Sequence, residues 1–135
     1  MPEVVQLIHT NDFHSHFEHF ATNAAVVRDI QAASRNQHEE TITIDLGDHM
    51  DRFHAISEAS NGQMNVRCLN ELDYQYATIG NNEGITLSQA ALNDLYDEAA
   101  FTVCLANVID QKNKDIRIGV SHTPSTRQGK AHALL

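Results

Sequence analysis

Three short stretches carry side chains suited to holding cations and a phosphate: "HTNDFHSH" at residues 9–16, "DLGDHMDR" at 45–52 and "ATIGNNEG" at 77–84. Asp12 and His14 stand one residue apart, so an irregular turn can aim both into one pocket. Asp48 offers two oxygens and can bridge two cations, while Asn81 offers one neutral carbonyl oxygen. Carboxylate, imidazole and carboxamide together suit manganese, zinc, iron or cobalt better than calcium. Two such cations about 4 Å apart can activate a water and stabilise the attacking and leaving oxygens of a phosphoryl group. Each stretch also has a plainer reading, because Asp caps helices and Asn and Gly make tight turns. What decides between them is whether the fold brings the three together.

The elements between them argue that it does. Val4–Ile8, Thr41–Ile44, Tyr76–Ile79 and Phe101–Leu105 read as short strands, rich in β-branched and apolar residues. Between them, residues 21–35 place Ala24, Val27 and Ile30 at helical spacing, and residues 63–72 place Met64, Cys68, Leu69 and Leu72 on one face. Thr86–Gln89 reads as a capping box opening a third helix, with Leu87, Ala91, Leu95 and Ala99 along one side. The order β-α-β-α-β-α-β predicts an α/β fold, a mostly parallel sheet with helices on its faces. Asp12 and Asp48 are 36 positions apart, and Asp48 and Asn81 are 33 apart. Both fit one β-α-β step of roughly 30 residues or more. Each polar stretch therefore leaves the carboxyl end of a strand, where open α/β sheets bind ligands.

Bulk properties limit the partners. At 135 residues the chain fits one domain with a real core. Nine basic against eighteen acidic residues give a net charge of −9, which argues against coating nucleic acid. An anionic substrate then needs locally recruited positive charge, which a divalent cation supplies. No apolar run approaches the roughly 18 residues of a membrane span. The N-terminus lacks a basic segment followed by a long apolar one, so no signal peptide is expected. Cys68 and Cys104 read as reduced, buried thiols, which suits the cytoplasm. Residues 1–120 are expected to be domain-like, with a fifth strand over 116–120 and an irregular tail over 121–135.

Asp12-Phe13-His14, Gly47-Asp48-His49-Met50-Asp51 and Gly80-Asn81-Asn82-Glu83 resemble, in order, the DxH, GDxxD and GNH[ED] motifs of the calcineurin-like metallophosphoesterases. The run "IHTNDFHSH" at residues 8–16 resembles the opening of the 5′-nucleotidase branch, and the match covers about residues 4–108. The resemblance implies that Asp12 and His14 bind a first metal, Asp48 bridges both, and Asn81 binds the second. It implies hydrolysis of a phosphate ester, a nucleotide or nucleotide-sugar, by a metal-held hydroxide attacking phosphorus in line. Arg52 resembles a phosphate-contacting arginine of the phosphoprotein phosphatases.

Two departures accompany the likeness. The family histidine beside the metal-binding asparagine is Asn82 here, which can hydrogen-bond an oxyanion but cannot supply a proton at neutral pH. His49 and His54 are the alternative acids. The family's later histidine ligands have no clear counterpart: His122 faintly resembles the first, and His132 matches nothing. The chain reads as the first half of a catalytic domain. The competing reading is a non-catalytic fragment that binds metal or associates with itself through an unfinished sheet edge, forming a homo-oligomer. His16 and His19 read as surface or outer-shell residues, and His9 as a packed one. Asp51 is either an outer-shell acceptor or a helix-start acid. Glu83 is expected to orient the Asn81 loop, and Met50, Met64 and Phe101 to pack.

Overall fold

Two six-residue strands, β1 (Val5–Thr10) and β2 (Glu40–Asp45), pair in parallel along their whole length, from Val5 opposite Glu40 to Thr10 opposite Asp45. Two short strands extend the sheet, β3 (Tyr76–Ala77) and β4 (Thr102–Val103), both parallel, in the order β1-β2-β3-β4. The computed structural model describes residues 4–37 and 39–105. The strand expected over 116–120, the tail from 121, His122 and His132 lie outside the described residues.

Helix α1 (Phe20–Asn36) connects β1 to β2, and α2 (Ala55–Ala59) and α3 (Gln63–Glu71) connect β2 to β3. A one-turn helix α4 (Asn81–Gly84) and helix α5 (Gln89–Leu95) lead to β4. Each strand pairs with the next in sequence, so right-handed crossovers put every connection on the same side. The contacts agree. On α1, Gln31 Nε2 donates to Leu72 O at 3.0 Å and Thr43 Oγ1 at 3.2 Å, and the Ser34 hydroxyl donates to the Gln6 carboxamide. Ile8 packs with Val27, Val66, Leu69, Leu72, Tyr74, Leu95, Phe101 and Val103 in the core on that side. Val5 and Leu7 point the other way and are 51% and 62% exposed.

Three local expectations are corrected. Ser88 rather than Thr86 caps α5, its hydroxyl accepting from Ala91 N–H at 3.2 Å. The Thr86 hydroxyl is engaged elsewhere, donating to Asn82 C=O and closing the turn after α4. Met50 and Phe101 are buried as expected, but Met64 is 42% exposed because it sits at the outer edge of the α3 stripe. Cys68 is buried, whereas Cys104 is exposed just past the two-residue β4; both are free. Among the described residues, no helix is long and apolar enough to cross a membrane.

Candidate metal centre

The first two polar loops continue the strand pairing beyond the sheet. Leu46 N–H donates to Thr10 C=O at 2.8 Å, Asp12 N–H to Gly47 C=O at 3.0 Å, His14 N–H to Asp48 C=O at 3.1 Å and Ser15 N–H to His49 C=O at 3.0 Å. The third loop presses on the second through two glycines. Gly47 has φ +97°, and a Cβ there would lie 2.7 Å from Gly80 N. A Cβ on Gly80 would overlap the Asp48 carboxylate. Glycine at both positions is what lets these loops meet.

Glu83 clamps the same junction. It is buried, and its two oxygens accept from Met50 N–H and Gly80 N–H, each at 2.8 Å. The expected orienting role of Glu83 is therefore present in the geometry. A single carboxylate joins the second loop to the third and caps α4.

At the top of this frame the donor atoms of Asp12, His14 and Asp48 lie within 4.8 Å of one another. His14 Nε2 is 3.6 Å from Asp12 Oδ1. All three residues adopt left-handed backbone, with φ of 53°, 46° and 51°. Such conformations are uncommon outside glycine, although Asp and His tolerate them better than most. Asp48 Oδ1 accepts from Asn82 N–H at 2.9 Å, which fixes one oxygen of its carboxylate. Asn81 is exposed at the start of α4, between Gly80 and Asn82, both of which touch Asp48. Two carboxylates and a half-exposed imidazole so gathered fit a borderline divalent cation.

Other residues singled out in the sequence have different surroundings. Arg52 Nη1 donates to Thr86 C=O at 3.2 Å, and its guanidinium lies 4.7 Å from the centre of the Phe53 ring. Asp51 Oδ1 accepts from Phe53 N–H at 2.9 Å, a local turn that favours the plainer of its two readings. His54 caps α2 through Nδ1, which accepts from Ile56 N–H at 3.3 Å. His49 stacks on Phe13 at 4.6 Å, and burial pulls its imidazole down to about 4. It is neutral at physiological pH and lacks the second ring proton that a strong acid would give up. His9 is exposed at the end of β1 rather than packed, because it points to the side of the sheet away from the helices.

Beneath the centre lies a buried polar network that the motifs do not include. Ser15 Oγ sits 2.7 Å from Ser57 Oγ, accepts from Asp51 N–H at 2.7 Å, and accepts from Asn65 Nδ2 at 3.1 Å. Asn65 also donates to His49 C=O at 3.0 Å and accepts from Ser57 Oγ at 2.9 Å. Ser15, Ser57 and Asn65 are all buried. They tie the first two loops to α2 and α3. The one sequence signal is Asn65 itself, a polar residue at the spacing of the buried Leu69 and Leu72.

A second buried group supports the strand ends. Asp45 is 1% exposed and accepts from Thr10 Oγ1 at 2.7 Å and from Gly47 N–H at 3.0 Å. Thr10 Oγ1 is also 2.8 Å from Tyr74 Oη. Burial pushes the Asp45 carboxyl up to about 6, against the two hydrogen bonds that favour its charge.

No protein-family model matches the chain. Among curated proteins, it is 40% identical over 136 residues to an uncharacterised metallophosphoesterase, YunD of Bacillus subtilis (strain 168). The similarity covers 100% of this chain and 29% of that protein, so the chain spans less than a third of its relative's length.

Proposed function

We propose that this chain carries the metal-holding part of a phosphoric ester hydrolase, with Asp12, His14, Asp48 and Asn81 as ligands to two divalent cations. The observation that carries this reading is the gathering of the Asp12, His14 and Asp48 donors within 4.8 Å, in a chain similar throughout to a metallophosphoesterase. Bound manganese, zinc, iron or cobalt would neutralise phosphate charge and activate water toward phosphorus.

The chain's own groups then orient and select. Asn82 N–H donates to Asp48 Oδ1 and so fixes the orientation of the carboxylate that would face both cations. The Asn82 side chain can donate to a phosphate oxygen but cannot protonate a leaving alcohol. Good leaving groups should therefore be favoured, unless another group serves as the acid. Arg52 spends one guanidinium N–H on Thr86 C=O and keeps the others for a phosphate oxygen.

The test is manganese-dependent release of p-nitrophenol from its phosphate mono- and diester, compared with Asp48→Asn. Loss of one ligand should cost at least about 100-fold in rate, beyond the 10- to 100-fold typical of outer-shell changes. Equal rates would end the hydrolase reading. The finer reading is a cytoplasmic 5′-nucleotidase-like enzyme acting on a nucleotide or nucleotide-sugar, and it rests on the run Ile8–His16. It requires that 5′-AMP or a UDP-sugar be hydrolysed faster than glycerol phosphate.

One observation favours a second reading, a non-catalytic metal-binding or self-associating fragment: Val5 and Leu7, on the side of the sheet away from the described helices, are exposed. Manganese uptake without turnover, with a mass that rises with concentration, would select it.

A further inference from the structure

A second set of donors stands on the 3-10 turn Phe17–His19, just past the first loop. His16, Glu18 and His19 are exposed, and their donor atoms lie within 4.8 Å of one another. His16 Nδ1 is 2.9 Å from Glu18 Oε1, and His19 Nε2 is 3.8 Å from the same oxygen. None of the three belongs to the Asp12–His14–Asp48 group.

We propose that this turn is a surface site for a borderline divalent transition metal (zinc, nickel, cobalt or copper), separate from the phosphoester centre and independent of the function proposed above. Two imidazoles and one carboxylate favour these ions over magnesium and calcium, which prefer all-oxygen ligation. The turn geometry suits the task, because side chains at i and i+3 of a 3-10 helix lie over one another. Here His16 is the N-cap and His19 the last residue of the turn, joined by His19 N–H to His16 C=O at 2.9 Å, with ring centroids 6.0 Å apart. The turn is also anchored. Phe17 packs edge-on against Phe13 at 5.9 Å and against His54 at 5.2 Å, and Phe20 packs on the core. The backbone carrying the donors is thus held before any ion arrives, which lowers the ordering cost of binding. His16 and His19 also line a cavity of about 490 Å³ shared with Asp12 and Phe13, so a cation on the turn adds positive charge to its lining.

The experiment is nickel(II) titration of the purified chain by calorimetry, in a variant whose main centre is disabled by Asp12→Asn and Asp48→Asn. One equivalent should still bind. Adding His16→Ala and His19→Ala should abolish it, and either histidine substitution alone should weaken it at least about tenfold. Circular dichroism checks that each variant folds. If the disabled-centre variant does not fold, His16→Ala/His19→Ala in the otherwise native chain should lower the nickel stoichiometry by one. Absence of nickel binding when the centre is disabled overturns the proposal, as does binding that survives loss of both histidines. Neither result bears on Asp48-dependent hydrolysis, which is read separately.

Discussion

Asp12, His14 and Asp48 hold their donors together at the expense of backbone comfort. A non-glycine residue in the left-handed region costs on the order of 1–3 kcal/mol, and three occur within one cluster. The hydrogen bonds from Asp12, His14 and Ser15 to the second loop over-determine these conformations. This predicts a trade between stability and binding. His14→Gly, at φ 46°, should leave the apo fold equally stable or stabilise it by about 1 kcal/mol, while manganese affinity falls at least about tenfold. Urea denaturation with chelator and a manganese titration measure the two halves; a destabilised variant with intact affinity contradicts the argument. Gly80 makes the opposite case, because its conformation is ordinary and only space is short. Gly80→Ala drives a Cβ into the Asp48 carboxylate, so it should cost about 1–3 kcal/mol and displace that side chain. Denaturation midpoints and manganese affinity should both fall, whereas tolerance of alanine would mean the two loops can separate freely.

Loops at strand ends are only as well placed as the buried groups beneath them, and Asp45 is the test of that support. Its folded carboxyl is raised to about 6, above the roughly 3.9 of an unfolded aspartate. The folded chain therefore binds more protons between these values. The contribution of Asp45 is fully favourable below about pH 4 and is lost as pH rises through about 6, amounting to about 2–3 kcal/mol. Asp45→Asn keeps an acceptor for Gly47 N–H and lets Thr10 Oγ1 accept instead of donate. In metal-free buffer the variant should exceed the native chain in stability at pH 7.5 and lose that advantage at pH 4. A stability difference that does not change with pH would show that the carboxyl is not perturbed by burial. The three polar loops were legible in sequence because short apolar runs ended in polar residues about one β-α-β step apart. Glu83 was legible from its motif. The Ser15–Ser57–Asn65 network and Asp45 were not, since a buried polar residue gives no periodic signal unless it interrupts an apolar stripe, as Asn65 does. The capping box at Thr86 misled for a different reason: two hydroxyls two residues apart both suit an N-cap, and a local bond from Thr86 back to Asn82 C=O decided which was free.

At the scale of the whole molecule, strand order has a consequence that composition hides. A parallel sheet is ordinarily covered on both faces. Among the described residues the order β1-β2-β3-β4 puts the helices on one face, and β1 forms one edge of the sheet. Val5 and Leu7 on β1 and Tyr76 on β3 remain 51%, 62% and 40% exposed. The alternation within β1, with Ile8 in the core and Val5 and Leu7 outside, was readable only as an apolar run. A run of that kind signals burial on both faces. The purified chain should therefore associate through this face, driven by apolar area worth roughly 25 cal/mol per Å² when covered. Leu7→Lys places a charge at the most exposed apolar position of the strand without touching the core. Sedimentation velocity should show a mass that rises with concentration for the native chain and a smaller, concentration-independent mass for the variant. Manganese affinity should be unchanged, because Leu7 lies on the opposite side of the sheet from the helices and away from the loop donors. A monomeric native chain at high concentration would mean that covering this face contributes too little to hold two copies together.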